Sequence, residues 1–415
     1  MSEWENIRHI YAQKPIQLGL DRVVKVWDAF GGNRPHFVIA VAGTNGKGSC
    51  CFMLDGILRN AGYRVGLYTS PHLLTFRERI NIDGKMVTEE ILDTTFNRLA
   101  ASKGSESLTQ FEIDTLVAIS IMNEANVDVS VLEVGLGGRL DAVNIFDADC
   151  AVVTSVDFDH MDYLGESREQ IGFEKAGIFR GGRPAICGEL DLPESISGYA
   201  KEIGADLYLI GHDFGYDTVD TNQWKFWSRS GQCMTLPYPA LKGTNQLSNA
   251  SVCLAALEQI NTKLPVMQED IRFGLLTATL PGRFQVIPGE PVVILDVGHN
   301  PHAIKCLAES LQTRFPERQV HAVFAVMRDK DIAGIINPMK SLVQRWYLAP
   351  IPLARTASEP ELLALFHQIG VDNLEGGFAA ATEAFAAAKR NANKDGLVLV
   401  FGTFPLVSEF LAHNS

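Results

Sequence analysis

Short apolar runs alternate with helically spaced apolar positions along most of this chain. Residues 37–41, 65–68, 129–134, 150–156 and 184–187 read as strands, and the stretches near 47–60, 111–123 and 167–178 carry apolar residues at the i, i+3, i+4 spacing of helices. Near-continuous hydrophobic strands separated by helices predict a mostly parallel sheet with helices on both faces. Residues 207–240 break the rhythm with Gly211, Gly215, Trp224, Phe226 and Trp227, which predicts a small antiparallel patch on that sheet. Helical stretches follow at 245–259 and 268–277.

A second alternation then begins. Strands are predicted at 292–297, 320–326, 346–349 and 397–401, with helices near 303–314, 332–343, 359–369 and 382–390 and a last helix at the end. Pro288-Gly289-Glu290-Pro291 interrupts local structure between the two halves. The expected architecture is therefore α/β throughout: an N-terminal domain over residues 1–287 and a smaller, Rossmann-like α/β domain over residues 288–415. At 415 residues, two cores are expected on size alone.

Composition narrows the partners. Thirty-six basic residues against 49 acidic ones, net −13, argue against nucleic acid or an anionic membrane as the main partner. Seven cysteines with no CxxC pair disfavour a disulfide framework or a zinc site and fit a reducing cytoplasm. The N-terminal Met1-Ser2-Glu3-Trp4-Glu5-Asn6 lacks the basic flank and apolar centre of a signal peptide, and no apolar run is long enough to span a bilayer.

The densest chemistry lies where strands end, which is where open parallel sheets collect ligands. After the first strand comes Ala42-Gly43-Thr44-Asn45-Gly46-Lys47-Gly48-Ser49, a glycine loop running into a helix. Its N–H groups and the helix N-terminus suit an anion, Lys47 adds a point charge, and Ser49 offers a hydroxyl to Mg²⁺. Gly48, standing between Lys47 and Ser49, departs from the ordinary Walker A spelling. The run Glu133-Val134-Gly135-Leu136-Gly137-Gly138 puts a carboxylate at another strand end, where Mg²⁺ wants a hard oxygen. Asp157-Phe158-Asp159-His160 follows a third, Ser70-Pro71-His72 a fourth, and Lys175 lies in a fairly apolar helix. Thr109 reads as a helix cap ahead of Gln110, Phe111 and Glu112. Asn245 and Asn249 are spaced to share a helix face. In the second half, Asp296-Val297-Gly298-His299-Asn300-Pro301-His302 ends a strand and opens a helix.

Taken together these motifs resemble the Mur ligase superfamily and, within it, the folylpolyglutamate synthase/dihydrofolate synthase family, over nearly the whole chain. The resemblance implies that Gly46, Lys47, Gly48 and Ser49 hold the ATP phosphates. Ser70, Glu133 and His160 look like magnesium ligands, and Lys175 like a carbamylated lysine that completes a second Mg²⁺ site. Asn249, Arg283 and Asp296 resemble nucleotide contacts, with Asn245 and His299 as lesser additions. Thr109, Gln110, Phe111, Glu112, Leu140, Asp141 and Ala142 match segments that contact the pterin.

The implied reaction is ATP-dependent addition of L-glutamate to dihydropteroate and to the terminal glutamate of reduced folates through an acyl phosphate, in a cytoplasmic, monomeric enzyme of the bifunctional bacterial type. The catalytic residues would be Lys47, His160 and Lys175. A monofunctional version of either activity is the nearest alternative. A UDP-sugar Mur-type peptide ligase is disfavoured because only about 35 residues precede the phosphate loop. A nucleotide switch or regulatory ATPase would leave the clusters at 109–112 and 296–302 without a purpose.

Overall fold

The computed structural model describes residues 3–12, 17–34, 37–102, 104 and 106–414; Met1 and Ser2 of the polar N-terminal stretch lie outside the described residues. The chain divides into two compact units, one of residues through Ala240 with Leu247–Ala278, the other of Leu241–Gln246 with Thr279 onward.

In chain order the elements up to Thr277 are α1 (Glu3–Ala12), α2 (Asp21–Phe30), β1 (Val38–Ala42), α3 (Lys47–Asn60), β2 (Val65–Tyr68), β3 (Ile80–Ile82), β4 (Lys85–Met86), α4 (Glu89–Ser102), α5 (Gln110–Glu124), β5 (Val129–Glu133), β6 (Cys150–Val153), α6 (Met161–Leu164), α7 (Arg168–Ala176), β7 (Pro184–Cys187), α8 (Glu194–Ile203), β8 (Asp206–Leu209), β9 (Phe214–Thr218), β10 (Gln223–Ser228), β11 (Cys233–Pro237), α9 (Gln246–Ile260) and α10 (Gln268–Thr277). The main sheet has the order β4-β3-β2-β5-β1-β6-β7-β8. It is parallel from β2 to β8, with β3 and β4 added antiparallel at one edge.

Both faces of the central strands are buried, as an apolar parallel strand requires. Val38, Ala40 and Ala42 join a core with Ile113, Leu116 and Val117 of α5. Ile39 and Val41, equally buried, point the other way by strand alternation, and α3 packs against β1, β2 and β5. Register aligns the strand ends: Val41 pairs with Glu133 and Ala42 with Val153. The polar residues that follow β1, β2, β5 and β6 therefore emerge at one edge of the sheet.

Two details differ from the pattern. Residues 214–237 form a separate three-stranded antiparallel sheet, β11-β10-β9, rather than a patch on the main sheet, and 206–209 extend the parallel sheet as β8. The antiparallel edge strands β3 and β4 are three and two residues long, too short to leave a period in the sequence.

The second unit contains β12 (Gln285–Ile287), β13 (Val292–Asp296), α11 (Pro301–Arg314), β14 (Val320–Phe324), α12 (Ile332–Ile336), β15 (Val343–Leu348), α13 (Glu359–Gln368), β16 (Leu374–Glu375), α14 (Ala381–Ala392), β17 (Leu397–Phe401) and α15 (Phe404–Asn414). Its sheet runs β12-β13-β17-β14-β15-β16, with β12 alone antiparallel. The single helix expected at 332–343 is a short α12 followed by a 3₁₀ turn over Asn337–Met339 and then β15. Pro338 is the cause, because its ring and missing N–H stop an α-helix from continuing.

Candidate active site

The phosphate loop is a strained turn locked from behind. Gly43 has φ 148° and Gly46 φ 89°. A β-carbon on Gly43 would lie 1.9 Å from Thr154 Oγ1, and one on Gly46 2.5 Å from Asn249 Oδ1, so neither position admits a side chain. The residues after β6 hold the loop in place. The Thr154 hydroxyl donates to the Asn45 carbonyl at 2.6 Å, Thr44 N–H donates to the Ser155 carbonyl at 2.8 Å, and the Thr44 hydroxyl donates to the Asp157 carbonyl at 3.0 Å. Lys47 Nζ bends back over the loop and donates to the carbonyls of Gly43 (2.9 Å) and Thr44 (3.1 Å). Gly48 and Ser49 are buried in the first turn of α3. The result is a hydrogen-bonded loop at a helix N-terminus with one cation folded over it, which fits a polyphosphate.

Glu133, at the end of β5, is 4% exposed and accepts the Ser70 N–H at 2.9 Å through Oε2. This hydrogen bond brings the two candidate magnesium ligands together. His160 precedes α6 with φ 51°, and its Nε2 is 3.9 Å from the Asp159 carboxylate. Among the described residues no group of three His, Cys, Asp or Glu side chains is arranged to hold a metal ion. A hard cation at Glu133 would need further oxygens, and phosphates and waters are the usual supply for Mg²⁺.

Lys175 occupies the last turn of α7 and is 3% exposed. Burial, reinforced by the Lys47 ammonium and opposed by Asp159, pulls its amine down to about 7. A lysine near neutrality at pH 7 is a nucleophile toward CO₂, the property carbamylation needs. Glycines let α7 approach the loop after Glu133: a β-carbon on Gly138 would be 2.9 Å from the Lys175 carbonyl. Arg139 seals that contact with a 2.6 Å ion pair to Glu174.

The pterin-matching segments meet around Phe111. Its ring lies 2.4 Å from where a β-carbon on Gly135 would stand and 6.0 Å from the Tyr68 ring. Thr109 caps α5 reciprocally with Glu112: Thr109 N–H donates to Glu112 Oε2 at 2.6 Å, and Glu112 N–H to Thr109 Oγ1 at 3.4 Å. Gln110 is the first residue of α5. Asp141 is buried and accepts N–H bonds from Leu136 (2.9 Å) and Val143 (3.0 Å). Burial pushes its carboxyl up to about 7, against those hydrogen bonds and the charge of Lys47. Leu140 is half-buried beside it, and Ala142 is buried in the 3₁₀ turn that Asp141 caps.

Asn249 lies within α9, 5% exposed, against Gly46. Asn245 sits in the turn before α9, so the two asparagines do not share a helix face as their spacing predicts. Within the second unit, Asp296 accepts N–H bonds from Phe284 (2.8 Å) and Gly298 (2.7 Å), and burial raises its carboxyl. The Arg283 guanidinium lies 5.1 Å from the Phe404 ring centroid, and His299 Nδ1 is 2.8 Å from the Val297 carbonyl. Asn300 caps α11.

Several supporting residues escape sequence reasoning. Reading 150–156 as strand hides Thr154 and Ser155, although a Thr-Ser pair closing an apolar run is itself a strand-end signal. Asp114 is fully buried and paired with Arg8 (2.8 Å) and Arg79 (3.3 Å), and Arg79 Nε donates to His72 Nδ1 at 2.9 Å. Burial and the two guanidinium charges pull His72 down to about 3, so its imidazole is neutral. No local signal marks these pairs, since their partners are 35 and 106 residues apart in the chain.

Comparison with known proteins identifies the family. The family description "Mur ligase middle domain" matches residues 41–257, and "Mur ligase, glutamate ligase domain" matches residues 282–404, which makes the chain a Mur-type ligase. The dihydrofolate synthase/folylpolyglutamate synthase of Escherichia coli K12 is 42% identical over 414 residues, 99% of this chain and 94% of that one. The structure of E. coli FolC in complex with DHPP and ADP superimposes with a TM-score of 0.92 at 41% identity, covering 99% of this chain and 98% of that one. A bifunctional folylpolyglutamate synthase/dihydrofolate synthase with Mn, AMPPNP and L-glutamate bound gives 0.91 at 40% identity, covering 100% and 98%. The chain belongs to the dihydrofolate synthase/folylpolyglutamate synthase family.

Proposed function

We propose that this protein is an ATP-dependent amide ligase that joins L-glutamate to dihydropteroate and to the terminal glutamate of folates. The observation that carries the reading is the convergence on one sheet edge of the locked phosphate loop, Lys47, the Ser70–Glu133 pair and the near-neutral Lys175. In this reading the first unit is the ATP-binding domain, and the second, which matches the glutamate ligase description, contains Arg283 and Asp296 as candidate nucleotide contacts.

A carboxylate is a poor electrophile and repels both ATP and an amine. In the proposed reaction an acceptor carboxylate oxygen attacks the γ-phosphorus, the bond to ADP breaks, and an acyl phosphate forms. The glutamate amine then attacks the acyl carbon, phosphate leaves, and the amine loses its extra proton as the amide forms. The N–H groups of Gly46–Ser49, at the N-terminus of α3, hold the phosphates in line, and Lys47 leaves its backbone carbonyls to neutralise the transferring group. Ser70, Glu133 and His160 would hold Mg²⁺, with a carbamate on Lys175 supplying anionic oxygen to a second ion; bound Mg²⁺ would screen the phosphate charge. Asp141 and the Thr109–Glu112 turn orient the pterin. We infer a reducing, cytoplasmic setting for this chemistry, a reading that the seven free thiols support.

The test is a substrate panel: purified protein, ATP, Mg²⁺ and L-glutamate with dihydropteroate or with tetrahydrofolate, scored by mass spectrometry. Both acceptors should gain one glutamate. Gain on one alone defines a monofunctional enzyme, and ATP hydrolysis indifferent to glutamate and acceptor rejects the ligase reading.

A further inference from the structure

The N-terminal helices are tied to the first turn of α5 by buried charge. Arg22 of α2 and Glu112 of α5 approach to 2.5 Å, with side chains 17% and 6% exposed, and Arg22 Nε donates to Glu112 Oε2 at 3.1 Å. The same guanidinium donates to the Gln17 carbonyl, and a β-carbon on Gly19 would stand 3.5 Å from its Nη1, so the 17–19 turn wraps it. Glu112 Oε2 meanwhile takes the Thr109 N–H. One carboxylate thus both caps α5 and anchors α2.

An ion pair this buried gives up hydration on both partners and is a weak source of net stability, but a guanidinium fork fixes a carboxylate's orientation as few groups do. What Glu112 orients is the turn bearing Gln110 and Phe111, and Phe111 in turn rests against Gly135 in the loop between Glu133 and Asp141.

We propose that Arg22 is a positioning residue for the acceptor substrate: acting through Glu112, it sets the angle at which the Thr109–Phe111 turn closes on the acceptor's fused ring. This rests on the reading of 109–112 as a substrate contact. Arg22 touches no reacting atom, so its removal affects acceptor binding and leaves the nucleotide and glutamate sites alone.

The experiment is steady-state kinetics on full-length R22Q, R22K, E112Q and R22Q/E112Q, varying acceptor, ATP and glutamate in turn, with a thermal melt of each variant. Loss of a charged hydrogen bond to a substrate-orienting turn should raise KM for the acceptor about tenfold in R22Q. KM for ATP and glutamate should stay within about twofold. R22K, which keeps the charge without the fork, should recover part of the loss, and the double variant should be no worse than the worse single one. A lowered Tm and kcat with all three KM values unchanged would mark a purely structural pair and overturn the inference. Wild-type protein that turns over neither dihydropteroate nor tetrahydrofolate would overturn the functional reading and this inference together; turnover with an unchanged R22Q acceptor KM would overturn this inference alone.

Discussion

Gly46 and Asn249 meet so closely that the glycine's missing side chain is part of the phosphate loop's design. At φ 89°, with Asn249 Oδ1 2.5 Å from where a β-carbon would stand, Gly46→Ala meets both backbone strain and a clash. The variant should fold, because the loop lies at the sheet edge, yet bind ATP at least about tenfold more weakly by titration calorimetry. Wild-type ATP affinity in Gly46→Ala would refute the cradle.

Lys47 Nζ donates to two backbone carbonyls, those of Gly43 and Thr44, at 2.9 and 3.1 Å. Lys47→Ala should therefore keep Tm within a few degrees while kcat falls at least about 100-fold, the usual scale for losing one group that meets developing charge. Retained ligase activity would remove Lys47 from phosphoryl transfer.

With no trio of His, Cys, Asp or Glu side chains arranged around a metal among the described residues, divalent metal should bind tightly only together with nucleotide. Mn²⁺ titrations followed by electron paramagnetic resonance should show weak binding to the protein alone and strong binding once an ATP analogue is present. Glu133→Gln should raise the Mg²⁺ needed for half-maximal rate by about tenfold or more. Tight Mn²⁺ binding without nucleotide would contradict this arrangement.

Lys175, held down to about 7, carries a sign that can be checked in two ways. The neutral amine is the form that takes up CO₂, so activity with limiting bicarbonate should climb between pH 6 and 8. The unfavourable burial of this amine is greatest below about pH 7 and fades as pH rises toward the ordinary lysine value, since the unfolded chain holds the proton longer. Lys175→Met should thus be inactive, and more stable than wild type at pH 6 by a margin that shrinks at pH 9. Full activity with an unmodified Lys175 in a crystal would eliminate the carbamate.

Much of the fold is legible in the sequence because parallel strands buried on both faces are written as unbroken apolar runs. Residues 65–68, 184–187 and 397–401 coincide with β2, β7 and β17 residue for residue. The misreadings have local causes. Strands of two or three residues carry no period, Pro338 ends a helix that the apolar pattern continues, and Asn245, a residue type that favours helix starts, lies one position ahead of α9 rather than inside it. Lys47, Glu133 and Lys175 stand out because each breaks an apolar or glycine-rich context. Thr154, Asp114, Arg22 and Arg79 do not, since their meaning lies in partners far along the chain, such as Glu112, 90 residues from Arg22.

Activation of a carboxylate by phosphoryl transfer is the centre of this account, and oxygen-18 tests it most directly. Dihydropteroate labelled in its carboxylate, turned over with ATP and L-glutamate, should pass one labelled oxygen to inorganic phosphate for each amide formed, because the attacking oxygen stays with phosphorus when the acyl phosphate breaks. Phosphate free of label, with amide formed in equal amount, would contradict it.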